Sequence, residues 1–169
     1  MKKLMVLSVL MVAILFIGCG KSEVQKKMET ELNAAIMKLH DGQMASMTQI
    51  DDLTKQLDEV AAMDDSLTQK NPKAAEGHSM DDLKAAKEKL AAVKADMTAW
   101  MSGHKPYDEN MKHEEVMAQL TKDKDALTKI AADGQAAMST ASTAIETHKA
   151  FVQDLMAKAT TMVKKGVKR

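Results

Sequence analysis

The chain has 169 residues and carries 24 basic against 24 acidic side chains, a formal net charge of +0. Balanced charge argues against nucleic acid as a partner, because a phosphate backbone is met by a basic stripe. A single cysteine excludes a disulfide framework, and aromatics at 2% leave little of the alternating pattern that marks β-strands.

Met1-Lys2-Lys3 gives a short basic start, residues 4–17 form an apolar run, and Gly18 precedes the lone Cys19. This layout predicts a secretory signal peptide, since the run falls short of the ~20 residues that cross a membrane. Leu15-Phe16-Ile17-Gly18-Cys19 resembles the lipobox of bacterial lipoproteins, with Phe16 where that family usually has Leu. The resemblance implies cleavage by signal peptidase II before Cys19. It also implies an N-terminal acyl (palmitate-type) and diacylglycerol lipid on Cys19, and residence in the bacterial cell envelope. Gly20 in place of Asp implies transport to the outer membrane, facing the periplasm. Loss of Lys2 and Lys3 would leave 22 basic against 24 acidic side chains, a net of −2.

Residues 19–21 then form the lipidated cysteine and its tether, and Ser22 is a predicted N-cap with Glu23 beside the positive helix end. Ile36, Leu39, Gln43, Ser46, Ile50, Leu53, Leu57 and Val60 recur in steps of three and four, the rhythm of a packed helix seam. A second stripe of Met37, His40, Met44 and Met47 predicts that this helix packs against two neighbours. Asn71-Pro72 and Gly77 mark a break, so residues 64–79 read as a frayed end and a loop, with His78 in solvent. The pairs Asp51-Asp52, Asp64-Asp65 and Asp81-Asp82 read as solvated faces and helix starts, since adjacent helical residues do not face one another.

Ser79 and Asp82 suggest a capping box for the second helix. Its seam is Leu83, Ala86, Leu90, Val93, Met97 and Trp100, with Lys84, Lys87, Lys89 and Lys94 toward water. Gly103 is a predicted C-terminal cap, and Pro106 stops the helix. A third helix is expected from about Asp108. Val116, Leu120, Leu127 and Ile130 form its seam, broken by Asp123. The phase continues past Gly134 through Ala137, Ala141, Ala144, His148, Phe151, Leu155 and Met162, which favours one long helix. Residues 166–169 are a basic tail.

The expected fold is therefore all-α: an elongated three-helix bundle with coiled-coil character over residues 22–165. Its helices are predicted at about 22–63, 80–102 and 108–163, after a signal peptide over 1–18. A hairpin closed around 64–79 would bring His40, Met44 and Met47 level with Met97, Trp100, Met101 and His104. A tight connection at Gly103–Pro106 would add Met111, His113 and Met117. Thioethers and imidazoles are soft ligands that suit Cu(I). The opposing reading is that methionine fills an aromatic-poor core.

His40-Asp41-Gly42-Gln43-Met44, with Trp100-Met101 much later, resembles a group of small bacterial lipoproteins often labelled "viral A-type inclusion protein". Gly42 stands where that group has an acidic residue. The resemblance spans roughly residues 24–145 and implies helical architecture and envelope location only, since that group has no activity to carry over. No P-loop, GxGxxG, GxSxG, HExxH or CxxC motif is present, so no enzyme is expected. The leading expectation is a membrane-anchored structural or protein-interaction module without a cofactor, with a possible envelope protein partner. A Cu(I) buffer and an extracytoplasmic holdase chaperone are the alternatives.

Overall fold

The structure is a computed structural model describing residues 20–73, 75–108 and 110–166, with side chains described through residue 161. Cys19 and the tail residues Lys168 and Arg169 lie outside the described residues, as does the Met162 side chain. Three α-helices make up an all-α bundle: α1 (Glu23–Lys70), α2 (Asp81–Gly103) and α3 (His113–Gly166). No strand occurs among the described residues.

The first helix opens on a full capping box. Ser22 Oγ accepts from the Gln25 N–H, and the Gln25 side chain accepts from the Ser22 N–H. These satisfy two donors that helix geometry leaves without partners. α1 then runs through Gly42 and past the expected fraying point at 64, to end at Asn71, whose N–H reaches back to the Leu67 carbonyl. The seam explains the extension: Asp64 and Leu67 continue the three-four steps beyond Val60, so the helix stays packed where a polar residue suggested its end. Pro72 disfavours helical backbone at Asn71. Gly77 takes the left-handed conformation (φ 83) that turns the chain toward α2.

No Ser79–Asp82 capping box forms. Met80 is the N-cap of α2 without a side-chain bond; Ser79 Oγ accepts from Asp81 N–H and Asp82 Oδ1 from Leu83 N–H. At the other end Gly103 is the last helical residue and His104 the C-cap, donating to the Trp100 carbonyl at 2.8 Å. The third helix starts at His113, later than the expected 108. Asp108 Oδ1 accepts from the Asn110 N–H at 2.8 Å, closing a turn that competes with helix there. α3 passes Gly134 without interruption.

Both long helices point the same way. Glu29 meets His113 and Asp64 meets His148, and each pair is separated by 84 residues. α2 runs antiparallel between those levels, tied to α1 by Lys87–Asp58 (2.6 Å) and by Lys94–Asp51. A register of 84 residues is a whole number of heptads, so the seam of α1 faces the seam of α3 along its length. Ile36, Ile50, Leu57, Leu90, Leu120, Leu127 and Ile145 lie in the resulting core, each 2% exposed or less. α3 is the middle member and packs on both partners, while α1 and α2 touch sparingly. The expected second stripe of α1 is packed only in part: Met47 lies against the core and His40 against Trp100 of α2, whereas Met37 and Met44 are exposed.

Candidate functional site

The heptad seams carry polar residues at three levels, and every one of the five histidines meets a carboxylate oxygen. At the level nearest the N-terminus, Glu29 is buried in the seam of α1. Lys21 Nζ donates to its Oε2 at 2.9 Å and His113 Nδ1 faces its Oε1 at 2.9 Å. Burial pushes the Glu29 carboxyl upward, but the bonds from Lys21 and His113 outweigh it and hold the group below its ordinary range.

At the middle level the indole of Trp100 lies between two imidazoles. Its ring centroid is 4.8 Å from that of His104, nearly parallel, and 5.7 Å from that of His40. His104 Nδ1 faces Asp123 Oδ2 at 3.0 Å, which accounts for the charged break in the α3 seam. Trp100 Nε1 is buried with no hydrogen-bond partner among the described residues.

The third level is the most enclosed. Asp64 sits in the α1 seam and His148 in the α3 seam, with side chains 0% and 1% exposed. His148 Nδ1 faces Asp64 Oδ2, and its Nε2 faces Asp82 Oδ1 on α2 at 2.7 Å. His78 Nε2, brought in by the loop after Gly77, reaches the same Asp64 Oδ2 at 2.8 Å. Thr68 Oγ1 donates to Asp64 Oδ1 at 3.2 Å. Phe151 stacks on His78 with centroids 3.5 Å apart. One donor atom each from Asp64, His78 and His148 lies within 4.8 Å of the others, a set that could hold a metal ion. These positions correct two expectations. Asp64 is not on a solvated face, and the His78 side chain is only 16% exposed. Asp64 is drawn inward because the seam of α1 continues beyond Val60, and His78 by its contact with Asp64 and its stack on Phe151.

Burial alone would raise the Asp64 carboxyl and lower His148. Hydrogen bonding reverses both: His148 and His78 hold Asp64 below its ordinary value, and Asp64 and Asp82 hold His148 above its own. The consequence for stability has a definite sign. Asp64 and Glu29 contribute stability that is present above about pH 4 and lost as pH falls through their folded values. His148 contributes stability that is full below about pH 6.5 and lost as pH rises through its raised folded value. With a chelator present, the melting temperature should therefore peak between about pH 4.5 and about pH 6.5 and decline on both sides. Thermal scans across that range check it. An alkaline decline that persists in His148→Gln would contradict the assignment.

The sequence-predicted Met/His level is divided by the structure. His40, Trp100 and His104 do meet, as the hairpin count implied. Met97 is in the core at 1% exposure, Met47 is partly buried against it, and Met44 and Met101 are each 42% exposed. His113 lies instead with Glu29, eleven residues along α1 from His40, or about 16 Å along the helix axis. Met111 and Met117 flank His113 in sequence and are partly buried there. The 104–112 connection carries the chain past the His40 level before α3 begins. Glu29, Asp64, His78, Asp82 and His148 were not among the sequence candidates. Glu29 and Asp64 lie in the phase of the α1 seam, and charged residues in an apolar phase were the signal available.

No protein-family model, curated protein or solved structure matches this chain.

Proposed function

We propose that the protein is a lipid-anchored lipoprotein of the bacterial cell envelope whose bundle serves as a rigid, non-enzymatic interaction module. The observation that carries this reading is the junction between the lipobox and the rod. Only Gly20, Lys21 and Ser22 separate Cys19 from α1, and two of the three are fastened to the bundle. Ser22 closes the capping box, and Lys21 reaches eight residues into the seam to Glu29, which His113 of α3 also holds. An acylated Cys19 would therefore join the membrane surface to both long helices with little slack.

From that point the 48 residues of α1 extend about 70 Å. No helix among the described residues is long and apolar enough to cross a membrane, so attachment on this reading rests on the lipid of Cys19. Exposed methionines along α1 at Met37, Met44 and Met63 supply adaptable apolar contacts for an envelope protein partner.

The test uses the full chain expressed in bacteria fed a clickable palmitate analogue, with a photo-crosslinking residue in place of Met44. The chain should take up label and sediment with membranes, and Cys19→Ser should lose both properties. Label that persists in Cys19→Ser overturns the anchor. Crosslinking at Met44 that captures no protein overturns the interaction role.

A further inference from the structure

We propose that Asp64, His78 and His148 form a binding site for a divalent first-row transition ion of the zinc class, with Asp82 as the outer partner that orients His148. The site is unlike the other histidine pairs of the bundle. Glu29, Asp123 and Asp41 each meet one imidazole, whereas a single oxygen of Asp64 meets two, and the rings of His78 and His148 lie with centroids 5.0 Å apart.

Three donor atoms therefore converge on one place: Asp64 Oδ2, His148 Nδ1 and His78 Nε2. One divalent cation satisfies the carboxylate and both imidazole lone pairs at once. His148 Nε2–H then remains a donor to Asp82, the carboxylate–histidine–metal relay that fixes ring orientation and ligand basicity.

Each of the three ligands is already held from behind. Asp82 takes His148 Nε2 at 2.7 Å, Thr68 holds Asp64 Oδ1 at 3.2 Å, and Phe151 backs the His78 ring. The three come from α1, the loop and α3, so coordination would also fasten the far end of the rod. Two nitrogens and one carboxylate oxygen suit Zn2+ rather than the soft thioether set of Cu(I). Metal–ligand bonds of about 2.0–2.1 Å place tetrahedral ligand atoms about 3.4 Å apart, so the donors open by roughly half an ångström at His78 and about one at His148. His78 and the half-exposed Asp82 lie at the edge of the cluster, the side from which an ion would enter.

The test is titration of the full chain carrying Cys19→Ser, in detergent at about neutral pH, with Co2+ read by its visible absorption and Zn2+ as competitor. One equivalent of Co2+ should give the intense bands of a low-coordinate site, and Zn2+ should remove them. His78→Gln and His148→Gln should each weaken binding by about 100-fold, and Asp82→Asn by about 10–100-fold. Zn2+ should also raise the melting temperature of the parent chain and leave that of His78→Gln unchanged. This second readout decides the matter even if His148→Gln fails to fold. Absence of the Co2+ bands, or binding that His78→Gln leaves intact, overturns the proposal.

Discussion

Replacing Asp64 with Ala is expected to lower stability by about 3–5 kcal/mol, making it one of the costliest single substitutions in the bundle. For a chain of this size that corresponds to a fall in melting temperature of about 6–20 °C. The carboxylate is fully buried and accepts from His148, His78 and Thr68. Its removal leaves the buried His148 without the partner that holds its proton, and His148 must then either lose that proton or stay charged in the core. The pair itself need not be stabilising relative to an apolar core, because desolvating two charges offsets most of their attraction. Asp64→Leu combined with His148→Leu should therefore recover much of the loss seen in Asp64→Ala. Chemical denaturation of the three proteins measures both quantities. If Asp64→Ala costs under about 1 kcal/mol, the cluster does not hold the end of the bundle.

The second large effect is expected at Leu90. Its side chain is 0% exposed at the centre of α2, the shortest helix, whose other buried residues are Leu83, Ala86, Val93 and Met97. Leu90→Ala should cost about 2–5 kcal/mol, combining lost transfer free energy with the cavity left behind, while Leu90→Met should cost under about 1.5 kcal/mol. α2 packs chiefly on α3 and only slightly on α1. Its amides should therefore lose hydrogen-exchange protection in Leu90→Ala before those of the long helices do. Uniform loss of protection across all three helices would mean that the bundle opens as one unit.

Much of the fold was legible because it is written in local spacing. The seam residues Ile36, Ile50, Leu57, Val60, Leu83, Leu90, Val116, Leu120 and Leu127 are buried as their three-four steps require. Helix continuity across Gly134 follows from the unbroken phase. The candidate site was less legible, and for one physical reason. A charged residue in a seam reads as a defect until its partner is known. Asp64 stands four residues after Val60, in phase, yet a carboxylate alone has no reason to be buried. Asp123 reads as a break in its seam, yet it faces His104, and Glu29, which precedes the apolar seam in the sequence, is matched by Lys21 and His113.

The sequence by itself determined that this chain is helical, where its seams lie and which two stretches break it into three helices, though the first helix runs on to Lys70 and the third starts only at His113. Those features depend on side chains within a turn or two of each other and on capping groups such as Ser22 and Gln25. Only the tertiary structure decided which seams meet and in what register. The pairs Glu29–His113 and Asp64–His148 span the same 84 residues, so one register satisfies both. A slip of one heptad would leave the apolar layers matched but bury Asp64 and Glu29 away from their histidines. Apolar contacts are tolerant of such a slip, whereas buried charges are not, and so the polar residues that interrupt the pattern are the ones that select the arrangement.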